Sequence, residues 1–108
     1  MAGPGARLAA DARPVLRIDR WLFQARFFRA RDAASGMVEA GHCRLNGRHV
    51  TKPAQPVGAG DVLTFPQAGR IRVVRVLAVG RRRGPATEAQ ALYADLDADR
   101  DAAPAALE

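Results

Sequence analysis

An α+β fold is predicted, with two N-terminal helices packed on a small, bent, mainly antiparallel sheet and a short helix near the C-terminus. Three observations carry that prediction. Apolar residues recur at three- and four-residue steps from Ile18 to about Ala40, the period switches to two after Gly41, and Asn46-Gly47 interrupts the alternation with a tight-turn dipeptide. The 108 residues suffice for one domain with a modest core, because a chain of this size buries only about two-thirds of the surface it exposes when unfolded.

Met1 to Pro14 is rich in Ala, Gly and Pro without periodicity, which reads as a disordered leader. Order is expected to begin near Arg17. Ile18, Trp21, Leu22, Ala25 and Phe28 share one face of a first helix, and Arg17, Arg20 and Gln24 fall on another. On the same wheel Phe27 projects beside Arg20, away from the apolar stripe. A second helix runs from about Asp32 to Ala40, with Ala33, Ala34, Met37 and Val38 inward and Asp32, Ser35 and Glu39 outward; Gly41 caps it.

Cys43 and Leu45 then alternate with His42 and Arg44, and Asn46-Gly47 supplies the positive φ angles of a hairpin that returns through Arg48-His49-Val50. Lys52 to Gly60 reads as a loop, Asp61 to Phe65 as a strand and Gln67-Ala68-Gly69 as a turn. Arg70 to Val79 is β-branched, but its alternation slips at Val74-Arg75, which predicts a bulge. Arg81-Arg82-Arg83-Gly84-Pro85 makes a basic turn, and Thr87 to Tyr93 a short helix with Thr87 near its N-terminus. The Asp/Ala segment beyond Ala94 should fray. The expected organisation is therefore a leader over 1–14, a domain over 15–94 and an acidic flexible tail over 95–108.

Charge is distributed unevenly along this layout. Between Arg13 and Arg83, fourteen arginines and Lys52 face only Asp19, Asp32, Glu39 and Asp61, whereas after Gly84 Arg100 faces six carboxylates. Arginine is preferred over lysine fourteen to one in the basic segment, which suits forked, bidentate contact with phosphate. Nucleic acid is the partner this pattern favours.

Other classes are disfavoured. Cys43 is the single cysteine, so no disulfide forms within the chain, and a reducing cytoplasm is the simpler compartment. His42, Cys43 and His49 lack the paired spacing of a structural zinc site. No apolar run approaches the roughly 20 residues of a membrane span, and the first residues lack a signal peptide's hydrophobic stretch. Paired acid and base residues, a glycine-rich phosphate loop and an oriented nucleophile are all missing, so neither catalysis nor a cofactor is expected.

Arg17-Ile18-Asp19-Arg20-Trp21-Leu22 opening the first helix, Leu45-Asn46-Gly47 closing the first strand, and Gly60-Asp61 before Val62-Leu63-Thr64-Phe65 together resemble the S-four RNA-binding domain. That module is named from small-subunit ribosomal protein four and is also appended to pseudouridine synthases and some tyrosyl-tRNA synthetases. Within the superfamily, Trp21 to Phe27, and Arg82 to Ala89 with Leu92-Tyr93, are similar to the bacterial heat-shock protein fifteen family. The match covers roughly Arg17 to Tyr93. Two departures stand out: Ala30 occupies a position where that family often has a hydroxyl residue opening the second helix, leaving the cap to Asp32, and the chain ends acidic where fuller members end basic.

The resemblance implies an α-L RNA-binding motif, in which two helices and the hairpin form one RNA-facing surface. Position by position it proposes Arg17, Arg20, Arg26, Arg29 and Arg31 around the helices, Arg44, Arg48 and Lys52 around the hairpin, and Arg81, Arg82 and Arg83 as an extension of the phosphate track. Phe27 is a candidate for stacking on an exposed base. The implied partners are ribosomal RNA on the large subunit and peptidyl-tRNA, met by a cytoplasmic, monomeric, non-catalytic protein in recovery of blocked translation. The alternatives are a general RNA-binding protein or chaperone without ribosome preference, and the accessory module of an RNA-modifying enzyme.

Overall fold

A computed structural model describes residues 13–96. Most of the leader and most of the acidic tail lie outside the described residues. The elements in order are β1 (Val15–Arg17), α1 (Ile18–Gln24), α2 (Arg31–Glu39), β2 (Cys43–Leu45), β3 (Arg48–Val50), β4 (Pro56–Gly58), β5 (Val62–Gln67), β6 (Arg70–Val76), α3 (Ala86–Gln90) and β7 (Tyr93–Asp95). Five strands form an antiparallel sheet in the order β3-β2-β5-β6-β7, and β1 pairs with β4 in a separate two-stranded ribbon.

The core joins the two helices to one sheet face. Ile18, Trp21 and Leu22 of α1 and Ala34, Met37 and Val38 of α2 are buried with Cys43, Leu63, Phe65, Val74 and Val76. Trp21 also satisfies its indole N–H, which donates to the Ala78 carbonyl at 2.9 Å. Ala33, expected inward, is exposed, whereas Gln24, expected on the polar face, is buried.

Helix ends leave backbone groups that need partners, and here the chain supplies them without side-chain caps. Ile18 N donates to Gln55 O at 2.8 Å and Asp19 N to Pro53 O at 3.3 Å, so the loop before β4 caps α1. Ala30 is the N-cap of α2 and makes no side-chain cap bond. Asp32 therefore does not cap that helix; it sits in the first turn, where its charge complements the helix dipole. At the C-termini both helices close in the same way. Gly41 N bonds to Val38 O and His42 N to Met37 O; Arg26 N bonds to Phe23 O and Phe27 N to Leu22 O. These paired bonds are the Schellman pattern, with Gly41 at φ 82° and, less usually, Arg26 at φ 68°.

That second motif corrects the expectation for Phe27. A helical wheel continued past Gln24 turns Phe27 outward, but the left-handed Arg26 reverses the chain and swings the ring into the core, 6% exposed. There it meets Phe65 at 5.1 Å and Tyr93 at 4.6 Å between centroids. Phe27 is not an exposed stacking platform.

The Asn46-Gly47 turn forms as expected, with φ 52° and 86°. No bulge interrupts β6: its register with β5 runs unbroken from Val62↔Arg75 to Gln67↔Arg70. The slip in its hydrophobic pattern has another cause. Arg72 takes a core-side position in line with Val74 and Val76, its guanidinium 5.2 Å from the Phe27 centroid, while Ile71 turns outward and stays 53% exposed. The predicted helix over Thr87 to Tyr93 is also shorter and earlier, starting at Ala86 after a Pro85 cap that makes no side-chain bond. Tyr93 instead begins β7, opposite Val76 of β6, and Asp95 pairs opposite Val74.

Candidate nucleic-acid interface

Asp19 organises the start of α1. Its side chain is 1% exposed, yet Arg17 Nε and Nη2 donate to its two oxygens at 2.9 Å each, Ser35 Oγ donates at 2.8 Å, and Arg31 Nε lies 3.6 Å away. One buried carboxylate thus gathers an arginine from the end of β1 and another from the start of α2. Burial alone would raise the Asp19 carboxyl, but the hydrogen bonds from Arg17 and Ser35 and the Arg17 charge outweigh it and hold the group below its ordinary value. Hydrogen bonding to Asp19 raises Arg17 in turn, against a smaller opposing effect of burial. Both arginine side chains remain about two-fifths exposed, and neither spends all its donors on Asp19.

The hairpin is held by a second carboxylate. Asp61 accepts from the Asn46 amide at 3.1 Å, from Gly58 N at 3.0 Å and from Arg13 Nη2 at 3.1 Å. Asn46 Oδ1 accepts from Val62 N at 2.8 Å, and Asn46 N donates back to Val62 O at 2.7 Å. The Asn-Gly turn is therefore pinned to the Gly60-Asp61 corner, which fixes where Arg48 stands. Arg48 and His49 line an open groove of about 510 Å³ with Asn46 and Gln55. The loop from Lys52 to Gln55 is the one that caps α1, so the hairpin and the Asp19 cluster share one end of the molecule.

The remaining predicted residues divide by what they touch. Arg20, Arg29, Arg44, Arg48, Lys52 and Arg81 are exposed. Arg26 Nε donates to Gly84 O at 2.7 Å, and Arg83 Nε donates to Phe23 O at 3.1 Å with its guanidinium 4.8 Å from the Phe23 centroid. These two tie the basic turn to the end of α1, in addition to any contact with a ligand. Arg82 pairs with Glu88 at 3.1 Å. The reach of Asp19 to Arg17, Arg31 and Ser35 was not expected from the sequence; the Arg-x-Asp spacing is a local signal for the Arg17 half, and nothing local marks the other two.

Burial pushes the Cys43 thiol up to about 12, far from a reactive thiolate. Among the described residues no group of three or more His, Cys, Asp or Glu is placed to hold a metal ion, and no helix is long and apolar enough to cross a membrane.

Comparison with known proteins matches this geometry to a family. The S4 domain model matches residues 16–63, from β1 into β5. The heat shock protein 15 homolog of Aeromonas salmonicida is 37% identical over 89 residues, covering 82% of this chain and 67% of that protein. The chain belongs to the heat shock protein 15 family. It carries the RNA-binding S4 domain of that family. Heat shock protein 15 of Escherichia coli is 40% identical over 78 residues, 72% of this chain and 58% of that one, so the chain spans about three-fifths to two-thirds of these relatives. The trimeric structure of Vibrio cholerae heat shock protein 15 superposes with a TM-score of 0.73 at 31% identity, covering 88% of this chain and 100% of that one. A shorter stretch is 36% identical over 62 residues to small ribosomal subunit protein uS4 of Methylorubrum populi, 57% of this chain and 30% of that protein.

Proposed function

We propose that this protein binds structured ribosomal RNA on the large ribosomal subunit, without catalysis, and acts in the cytoplasm on subunits that still carry peptidyl-tRNA after heat shock or stalled translation. The observation that carries the RNA-binding part is the Asp19 cluster. Arg17 is clamped by two hydrogen bonds to a buried carboxylate and Arg31 is drawn to the same carboxylate at 3.6 Å, beside the loop that leads from the hairpin. Preset arginine forks match phosphates at a defined spacing, which favours shape over sequence and lowers the entropy lost on binding. The kinship with heat shock protein 15, and the shorter similarity to a ribosomal protein, support a ribosomal RNA target.

The protein is expected to act as a monomer on the subunit, in contrast to the trimeric relative from Vibrio cholerae. Gradient sedimentation tests both levels. The protein should travel with large subunits bearing peptidyl-tRNA in preference to free large subunits and intact ribosomes. Equal partitioning among all three would reject the ribosome-rescue reading and favour a general RNA-binding protein. Binding lost to excess unrelated RNA at physiological salt would do the same.

A further inference from the structure

We propose that a pocket behind the end of α1, between that corner, α3 and β7, receives one unpaired nucleobase of the bound RNA. The cavity holds about 210 Å³, below the roughly 300–1,000 Å³ of sites that enclose a whole drug-sized ligand, so it suits one planar ring. Phe27 closes its floor, Ala25, Ala86 and Ala89 give it smooth walls, and Arg26, Gln90 and Tyr93 bring polar atoms to it. Arg72 and Gln67 also line it, but Arg72 already donates to Gln67 Oε1 at 2.8 Å and Asp95 at 3.2 Å and lies over the Phe27 ring, so a phosphate would meet Arg26 as its main uncommitted cation and lose its hydration for few hydrogen bonds. A heterocyclic base needs that combination of apolar surface and a few directed donors.

The groups that meet the base are those the fold leaves unspent. Arg26 commits only its Nε, to Gly84 O; its terminal nitrogens, the Gln90 amide and the Tyr93 hydroxyl make no side-chain bond to any described residue. Tyr93 is half-buried, its ring packed on Phe27 at 4.6 Å, and it is the pocket's aromatic residue with surface to offer. Arg26 itself is held at φ 68°, where glycine would sit without strain. Backbone strain of this kind, of order 1 kcal/mol or more, persists where a side chain has a use. Arg26 is joined to the basic turn at Gly84, and Arg81 and Arg82 of that turn are exposed, so the turn can hold a phosphate beside an extruded nucleotide.

The proposal rests on the RNA-binding reading, and the test separates the two. The full chain is titrated with a short RNA hairpin carrying a single bulged 2-aminopurine, and with the same hairpin fully paired. Stacking and hydrogen bonding of one base should make the bulged hairpin bind about five- to a hundred-fold tighter, with a change in 2-aminopurine emission. Ala86→Leu fills the mouth from an exposed helical position; it should abolish that advantage and leave affinity for the paired hairpin unchanged. Gln90→Ala, which removes only a rim amide, should cut the advantage about two- to ten-fold and serves if Ala86→Leu does not fold. Equal binding of both hairpins by the parent protein, or an advantage that survives these variants, overturns the pocket while the RNA-binding reading stands. Failure to bind either hairpin overturns that reading and the pocket with it.

Discussion

Arg17 grips Asp19 through two parallel bonds of 2.9 Å, although the aspartate side chain is 1% exposed and the arginine side chain 44%. The pair is thus asymmetric: the acid belongs to the core, the base to the surface. An exposed arginine ordinarily surveys many rotamers, and a surface ion pair contributes little because ordering two long side chains offsets the attraction. Here one partner is already immobile, and Arg31 and Ser35 share it. The arrangement holds arginines in place for a ligand more than it adds stability.

Asp19→Asn should therefore lower RNA affinity more than it lowers stability, and its stability effect should depend on pH. A carboxyl that folding holds below its ordinary value, as here, stabilises fully above its unfolded value of about 3.9 and loses that contribution as pH falls through the lowered folded value. The gap in melting temperature between parent and variant is then constant from about pH 7 to about pH 5 and narrows below about pH 4. Thermal melts across that range check the sign. A gap that widens in acid would mean that Asp19 is not held ionised by its partners.

The basic residues should separate into two groups on mutation. Arg20→Ala with Arg29→Ala removes two exposed cations, leaving the melting temperature nearly unchanged and reducing the magnitude of the log K versus log salt slope by roughly 1.4–1.8, at about 0.7–0.9 per phosphate contact. Arg83→Ala loses the bond to Phe23 O and the packing on the Phe23 ring, so it should lower the melting temperature. Cation–π contact and hydrogen bond together suggest about 1–2 kcal/mol. Salt titrations and melts on both proteins distinguish the groups; a stable Arg83→Ala with a reduced slope would move Arg83 into the binding set.

Much of the scaffold was legible because its signals are local. The stripe from Ile18 to Ala25 and the Asn46-Gly47 turn lie within a few residues of chain, and both formed as expected. The β1–β4 ribbon was not legible: its strands are three residues each, include Pro56, and pair across some forty residues of sequence. Phe27 and Arg72 misled for a different reason. Each obeys something other than periodicity: the left-handed cap at Arg26 reverses the chain before Phe27, and the aromatic cluster beneath β6 accommodates Arg72 on the core side. For the binding surface, charge and family resemblance gave the candidate arginines, but their division into those tied to backbone and those facing solvent depends on contacts between segments far apart in sequence, such as Arg26 with Gly84.

Fold and binding should also come apart at the hairpin. Gly47→Val forces a β-branched residue into φ 86°, a cost of about 1–3 kcal/mol, and it strains the turn that Asn46 pins to Asp61. For a domain of this size that is a fall of several degrees in melting temperature for each kcal/mol. Arg48→Ala, one residue on and exposed, should melt like the parent and bind RNA more weakly. If Gly47→Val melts like the parent, the turn does not constrain the sheet as its bonds suggest.

The acidic segment supplies the last prediction. Truncation after Ala94 would remove Asp95, which pairs opposite Val74 and bonds to Arg72 at 3.2 Å, and so would mix a charge effect with damage to β7. Truncation after Leu96 preserves both contacts and still deletes Asp97, Asp99, Asp101 and Glu108 against Arg100 alone, for a net gain of three positive charges. Long-range attraction for a polyanion then rises, and because exposed charges are screened within about 10 Å at 0.1 M salt, the gain should be largest at low salt and fade as salt increases. Discrimination between RNA shapes should not change, since the helices and hairpin are intact. Filter-binding of full-length and truncated protein to a structured ribosomal RNA fragment and to an unrelated duplex, at two salt concentrations, checks both parts. Tighter low-salt binding to both RNAs with an unaltered ratio between them is the expected result; an altered ratio would place part of the recognition surface beyond Leu96.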